Sequence, residues 1–308
     1  LMKRFFYFFT MFAKYKNYIL LHSIILIYGF TGILGKLIEI DAVAIVWHRV
    51  FIAAISLFIA MLILRKSFKT TSRLRLIQIC GVGVVVAAHW VTFFHSVQLS
   101  TASFGVLCLS TTTLHVSWLE PLILKRRFSW LEFGLSLIVV GGIYFVSSNF
   151  SGRELEALFY GLISALFAAL FSVFNAKLAR DTPASTISFY EMVVATLSLS
   201  ILLLCLGRFD SSLFVMTGSD FVWLLFLGIV CTSFAFLVIV DLVKHLGVFT
   251  VSLSINLEPV YAIVLGIIIL QENEELNASF YLGSVLIVSV IFLNAIIKSS
   301  IKKRNALQ

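Results

Sequence analysis

The sequence predicts an all-α, polytopic membrane protein in which ten transmembrane helices form two inverted five-helix repeats. The 308 residues are 60% hydrophobic and only 12% charged, whereas soluble domains are about 25% charged. Apolar runs such as "YILLHSIILIYGFTGILGKLI" reach the roughly 20 residues with which a helix spans a bilayer. Basic residues and short motifs are distributed along the chain in a pattern that a repeated membrane bundle explains.

Ten apolar segments follow one another with short connections, so no soluble domain interrupts the bundle. We expect helices near 18–38, 42–64, 75–98, 101–124, 130–149, 155–177, 184–206, 221–241, 246–271 and 278–298. The N-terminal "KRFFYFFTMFAK" is too short to span and has no small-residue cleavage site. The expected organisation is an interfacial cytoplasmic segment 1–17, a first repeat 18–150, a second repeat 151–298 and a basic cytoplasmic tail 299–308.

The basic residues predict the orientation. If the N-terminus is cytoplasmic, nineteen of the 23 Lys and Arg residues fall on the inner side, with clusters at 65–75 and 125–127. An excess of Lys and Arg marks cytoplasmic loops, so we expect a multi-pass protein of the cell membrane with both termini in the cytoplasm. The net charge of +8 then follows from topology and does not indicate a nucleic-acid partner.

Short motifs recur in order between the two halves. "WHRVFIAAISL" at 47–57 aligns with "FYEMVVATLSL" at 189–199 at an offset of 142. Gly81 aligns with Gly228 at an offset of 147, and "GLSLIV" aligns with "GSVLIV" at an offset of 149. Because each half has an odd number of predicted spans, the second copy lies upside down, as in many secondary transporters.

The motif "LEP" occurs twice, around Glu120 and around Glu258. Its two copies stand 138 residues apart, which does not fit the repeat offsets of 147 to 149. Glu120 lies five residues before Lys125, near the cytoplasmic edge, whereas Glu258 lies fourteen residues from both Lys244 and Glu272, near the bilayer centre. The two motifs are therefore not equivalent, and the expected counterpart of "NLEP" is "STTTLH" at 110–115.

Three charged residues lie well inside predicted spans: Arg49, Glu191 and Glu258. A charge at the bilayer centre costs at least about 2.5–3.5 kcal/mol, so it faces a cavity or a partner. Arg49 and Glu191 occupy equivalent positions with opposite sign. They either polarise a central cavity or act as structural anchors that reach opposite membrane faces.

Glu258 is the strongest candidate for a functional carboxylate. Pro259 removes a backbone hydrogen bond and can open the ninth helix, where Asn256 adds a further polar group. Such a carboxylate could exchange a proton during transport. The alternative is a packing carboxylate that stays protonated and hydrogen-bonded.

The remaining candidates lie in the third and fourth helices. Glu120 with Pro121 is expected to be an interfacial ion-pair residue or a cytoplasmic gate. His89 and His95 lie on different helix faces, so a metal site is not expected. His89 and Trp90 either line the pathway or pack in the core, and His115 with Thr111 shares a face that could line it. The four cysteines lack CxxC spacing and are expected to be packing thiols.

The order of these segments resembles the drug/metabolite transporter superfamily, specifically the EamA-type permeases. The resemblance rests on "GFTGILGKL", "WHRVFIAA", "HWVTFFHSVQLSTASFGVLCLSTTT", "FYEMVVA", "SLSINLEPVYAIVLGIIILQE" and "GSVLIV", and covers 18–298. It implies an inner-membrane permease that moves small metabolites, often amino acids by efflux. It also implies a central cavity lined by Arg49, His89, Trp90, His115, Glu191, Asn256 and Glu258. Many members have a proline in the middle of the fourth helix, where this chain has "STTTLH".

The expected function is secondary transport of a small polar metabolite by alternating access, without a cofactor and without enzymatic activity. No GxxxxGK[ST], HExxH or GxSxG motif occurs, which argues against ATP-driven transport by this chain alone. The expected partners are a small-molecule substrate and the lipid bilayer, with a coupling proton or ion left open and the chain a monomer or homodimer. The alternatives are an intramembrane enzyme and a non-transporting membrane receptor.

Overall fold

Helices form almost all of the described chain in the computed structural model, which covers residues 2–148, 150, 152–246, 251, 254–255 and 257–306. Side chains are described from Tyr15 onward, except at 149, 151, 240–241, 243–244, 291, 294–295 and 298–306. The helices in these ranges are α1 (Met2–Leu37), α2 (Ala42–Ile63), α3 (Arg73–Leu99), α4 (Ala102–Cys108), α5 (Thr112–Leu124), α6 (Trp130–Val146), α7 (Arg153–Leu178), α8 (Ala184–Cys205), α9 (Gly218–Leu225), α10 (Ala235–Leu246), α11 (Glu258–Leu270) and α12 (Ala278–Ala306). Short 3-10 turns lie at Leu109–Thr111, Ser211–Phe214 and Glu272–Glu274, and the π-segment (Phe226–Phe234) joins α9 to α10.

Seven helical segments of the described chain are long and apolar enough to cross a membrane. They occupy the first four predicted positions and the sixth, seventh and eighth. Shorter apolar helices occupy the fifth, ninth and tenth positions: Trp130–Val146, Glu258–Leu270 and the Ala278–Val290 part of α12. The all-helical membrane fold is thus confirmed, while helix length and composition alone support seven spans.

Three helices differ from the predicted elements. Helix α1 begins at Met2 rather than at 18 and continues without interruption to Leu37. The fourth predicted helix divides into α4 and α5 at the Leu109–Thr111 turn, although the "STTTLH" stretch contains no proline. The Thr111 hydroxyl donates to the Cys108 carbonyl at 2.7 Å and the Thr113 hydroxyl to the Ser110 carbonyl at 2.9 Å. Such side-chain bonds compete with the helical ladder and bend it.

Packing contacts between the two halves occur twice, the second time with the first-half and second-half helices interchanged. Helix α3 of the first half packs along α7 and α8, the first two helices of the second half. Reciprocally, the π-segment of the second half packs on α2 and α1, and α10 packs on α1. Helix α2 packs on its equivalent α8, and α6 on its equivalent α12. This exchange is what a two-fold relation between two repeats requires.

Two glycine contacts give the register of the repeat. A Cβ on Gly83 would meet the Glu191 carbonyl oxygen at 2.9 Å and the Val194 Cβ at 3.0 Å. A Cβ on Gly228 would meet the equivalent atoms of Arg49 and Ile52 at 3.2 and 2.7 Å. Gly83, and not Gly81, is therefore the equivalent of Gly228, because a Cβ built on Gly81 would meet no other part of the described protein within 4 Å. The predicted pairing of Gly81 with Gly228 is wrong, since Gly81 lies on the exposed face of α3.

The ends of α5 and α11 confirm that the two "LEP" motifs are not equivalent. Each helix has 13 residues and ends at a left-handed residue, Lys125 with φ 55° and Gln271 with φ 56°. This superposition pairs Glu258 with Thr112 and leaves Glu120 with an apolar partner. The counterpart of "NLEP" thus begins at Ser110, as the sequence predicted. Its Asn256 lies outside the described residues.

Polar contacts join the two halves at both ends of the bundle. Asp41, just before α2, pairs with Arg208, just after α8, at 2.7 Å. Asp181, just before α8, pairs with Arg75 at the start of α3 at 2.5 Å. An ion pair therefore links the start of α2 to the segment after α8, and another links the start of α8 to α3, the helix after α2.

A buried carboxylate fastens the second half to the start of α4. Glu272 is 3% exposed and accepts hydrogen bonds from the backbone N–H groups of Ala102, at 2.6 Å, and Ser103, at 3.1 Å. It also accepts one from the Ser103 hydroxyl. These donors lie at a helix N-terminus, where the helix dipole favours a negative charge. Gly266 has no Cβ, which leaves room for this carboxylate.

We expect Gly83→Leu to lower the melting temperature of the detergent-solubilised protein, because its side chain must displace the backbone of α8. Overpacking of this kind costs about 1–3 kcal/mol. Gly81→Leu is the matched control on the same helix, and it should leave the melting temperature unchanged or slightly raised. Equal destabilisation by the two variants would contradict the proposed register.

We expect Glu272→Ala to destabilise the protein by about 3 kcal/mol, because it leaves two N–H groups and a hydroxyl buried without an acceptor. Glu274→Ala, an exposed residue in the same 3-10 turn, is the control. Thermal unfolding of both variants measures the difference. A similar small effect for both would show that the Glu272 contacts contribute little.

Candidate functional site

A buried guanidinium lies where the two halves meet. Arg49 is 4% exposed, and its Nε donates to the Thr232 hydroxyl oxygen at 2.9 Å. The guanidinium carbon lies 3.9 Å from the ring centroid of Trp90 on α3 and 5.8 Å from that of Phe94. The Nη1 atom is buried and has no hydrogen-bond partner among the described residues. One strong donor of this site is therefore left open.

The π-segment supplies the polar groups that hold α2. The Thr232 hydroxyl donates to the Leu227 carbonyl at 2.8 Å, and the Ser233 hydroxyl to the Gly228 carbonyl at 3.1 Å. Both bonds reach back five residues, the spacing of a π-turn, and π-bulges often occur at functional sites. The Ser233 and Ser56 hydroxyl oxygens lie 2.5 Å apart. Sequence reasoning missed Thr232 and Ser233, although "CTS" inside an apolar run was the available signal.

Glu258 lies opposite Arg49 at the start of α11. Its carboxylate interacts electrostatically with Arg49 and with Tyr28 of α1. Its side chain is half-buried. A Cβ on Gly29 would lie 3.3 Å from the Glu258 carbonyl oxygen, so that glycine lets α1 approach. Tyr28 carried no signal in the sequence, being one of nine tyrosines.

The structure places Glu191 apart from Arg49, although the repeat makes the two equivalent. Glu191 is 2% exposed, lies beside Asn175 of α7, and its Oε1 atom has no hydrogen-bond partner in the described chain. Among the groups described around Arg49, Glu258 is the one carboxylate, and it interacts with Arg49 electrostatically. The counter-charge of Arg49 is therefore Glu258.

The two pathway histidines have different surroundings. His89 is buried, and its Nδ1 lies 3.0 Å from the Ser164 carbonyl oxygen and 2.9 Å from the Ser164 hydroxyl oxygen, so it joins α3 to α7. His115 on α5 is half-buried, and its Nδ1 lacks a hydrogen-bond partner among the described groups. Thr111 is buried at the turn between α4 and α5. Of these residues, His115 is the one with an open polar atom.

The predicted gate residues lie at helix ends. Glu120 pairs with Arg126 at 2.5 Å near the end of α5, and Pro121 lies inside that helix. Pro259 lies in the first turn of α11, where its missing N–H costs nothing.

Two cavities described at one end of the bundle lie away from Arg49 and Glu258. One, of 340 Å³, is bordered by Lys36 and Arg153, and the other by Asp41 and Arg208. In the part of the chain that the structure describes, no three His, Cys, Asp or Glu side chains gather as metal ligands would.

Two helical repeats with charges buried between them define a multi-pass membrane protein of the transporter class. A model of the EamA-like transporter family matches residues 16–148 and again residues 155–296. The chain therefore belongs to this family of membrane transporters, and the resemblance noted in the sequence is confirmed.

Solved structures support the fold. One, described only as "Crystal structure of protein", has a TM-score of 0.64 and 16% sequence identity, and covers 93% of this chain and 98% of its own. At this identity the likeness concerns the fold alone. No curated protein matches the chain.

We expect Thr232→Val to lower the melting temperature, because this nearly isosteric change removes the acceptor of Arg49 Nε. An unsatisfied buried donor costs about 1–3 kcal/mol. Thr196→Val is the control, since its hydroxyl bonds to Met192 of its own helix α8. If both variants unfold at the same temperature, Thr232 does not hold Arg49.

Proposed function

We propose that the protein is a secondary transporter that moves a small polar metabolite across the cell membrane. The observation that carries this proposal is the Arg49 guanidinium, which is buried at the contact of the two halves with Nη1 open and Glu258 opposite. Charged side chains inside membranes are costly and mark substrate or ion pathways. A purely structural arginine would instead be expected to satisfy its donors.

We further propose ten spans in two inverted halves, with both termini in the cytoplasm. The exchanged packing of α3 and the π-segment supports the two-fold relation, and the ion pairs Asp41–Arg208 and Asp181–Arg75 join the halves at the starts of α2 and α8. Rocking of such halves about a central site gives alternating access. Because ion pairs hold the segments around α2 and α8 together at both ends of the bundle, we propose that these two helices form the axis about which the halves rock.

The substrate pathway would include Arg49, Trp90, Thr111, His115, Glu191 and Glu258, with Asn256 and His89 beside it. Glu120, Pro121 and Pro259 would form gate or hinge positions at the ends of α5 and the start of α11. Among substrates, amino acids moved outward are the candidates that the family resemblance suggests. A coupling proton or ion belongs to the same proposal.

An intramembrane enzyme and a receptor are the competing functions. An enzyme would need a nucleophile with a base, or a metal, at one depth. A receptor would need no open buried donor at the contact of its two repeats. Net flux of a solute through the purified protein separates transport from both.

We expect proteoliposomes with the wild-type protein to release a metabolite extract that protein-free liposomes retain. Arg49→Ala should reduce this flux by more than about 30-fold, as is typical when a buried charged partner is removed. Arg73→Ala, an exposed arginine at the start of α3, is the control and should retain flux. Absence of wild-type flux, with folding confirmed by thermal unfolding, would refute the transport proposal.

A further inference from the structure

The positive charge of Arg49 is compensated by a carboxylate that does not contact it. Among the described side chains, no carboxylate forms an ion pair with the guanidinium within 4.0 Å. Glu258 compensates the charge from a greater distance, through an electrostatic interaction. The open Nη1 atom of Arg49 therefore faces an acceptor position that the described protein does not occupy.

The chemistry of that position is restrictive. A guanidinium has only donors and stays charged. Its Nε is taken by Thr232, and Trp90 covers one face of its plane. The edge formed by the two Nη atoms remains available to a ligand. Carboxylates and phosphates bind this edge of a guanidinium with two parallel hydrogen bonds. An amine would meet a like charge there, and a neutral sugar would leave the buried charge without a contacting anion.

We propose that the transported molecule carries a carboxylate or phosphate that binds the Nη edge of Arg49, and that Glu258 accepts a proton as this anion arrives. This proposal rests on the proposed function and specifies the substrate class and the coupling. Two anions cannot share one buried guanidinium without an uncompensated charge. A proton on Glu258 restores the balance, and the proton leaves again when the anion does.

A proton fits this site better than an ammonium group of the substrate. An ammonium brings three donors that need acceptors, whereas a protonated carboxyl brings one. The titratable groups described near Glu258 are Tyr28 of α1, Arg49 of α2 and His22 of α1, and Cys231 of the π-segment lies near Tyr28 and Arg49. The Nδ1 atom of His22 already contacts the Tyr261 hydroxyl at 2.9 Å. The Tyr28 hydroxyl is therefore the group that can accept a hydrogen bond from a protonated Glu258 carboxyl.

The substrate class is tested with proteoliposomes loaded with a cell metabolite extract, the compounds released being identified by mass spectrometry. We expect metabolites with a carboxylate or phosphate to leave through the wild-type protein. Arg49→Lys keeps the positive charge but loses the two parallel N–H donors of the guanidinium. It should slow the release of these metabolites at least about tenfold. Selective release of amines or sugars would overturn this inference and leave transport itself established. No release at all would refute the transport proposal instead.

The coupling is tested with the anion so identified and a pH dye inside the vesicles. Wild-type protein should move protons with the anion, and its rate should fall by up to about tenfold per pH unit in the alkaline range, the limit for one required proton. Glu258→Gln should exchange the anion without proton movement and with a flat pH profile. Glu274→Gln, on the exposed outer turn, should behave as wild type. Anion flux without protons in the wild type, or unchanged coupling in Glu258→Gln, would overturn the proton step.

Discussion

A charged group inside a membrane is costly unless the protein or a ligand supplies its partners, and the rest of this structure depends on that constraint. Arg49 is held by Thr232 and Trp90 and balanced by Glu258, each from a different helix. The helices can converge on one side chain only because glycines let their backbones approach. Gly228 lies against α2 and Gly29 against α11. Without a hydrophobic driving force between helices in lipid, such close packing is what holds a bundle together.

The sequence predicted the membrane class, the repeat and the three buried charges because these follow from composition and spacing. It could not predict the partners of those charges. Tyr28 and Thr232 are ordinary residues until folding brings α1 and the π-segment beside α2. The predicted pairing of "STTTLH" at 110–115 with "NLEP" agrees with the ends of α5 and α11, but without a proline the sequence does not indicate that the helix divides at 109–111. Threonine hydroxyls produce that break through local hydrogen bonds, which helical periodicity does not record.

The predicted pairing of Gly81 with Gly228 is wrong for the same reason, because the sequence does not record which residues pack between helices. Gly81 and Gly83 both align with Gly228 within the uncertainty of a loose match, and only packing distinguishes them. Gly83 lies against the backbone of Glu191, whereas Gly81 has open space around it. Likewise, the sequence places Glu272 only as a charge just beyond the predicted helix 246–271. Its burial under the start of α4 is a contact across some 170 residues, to which no local pattern points.

The two repeats have similar backbones but unlike chemistry, and this difference gives the site a direction. Arg49 of the first repeat corresponds to Glu191 of the second, and Glu258 corresponds to Thr112 when the ends of α5 and α11 are aligned. A symmetric site would present the same groups to both sides of the membrane as the halves rock. Here the cation lies on α2, one of the two helices of the proposed axis, whereas Glu258 lies on α11, away from that axis. If the halves rock as proposed, opening toward one side moves α11 relative to Arg49, whereas opening toward the other moves α5 relative to Glu191. Only the first movement changes the distance between the two opposite charges, so the two half-cycles differ in electrostatic cost even though their packing is equivalent.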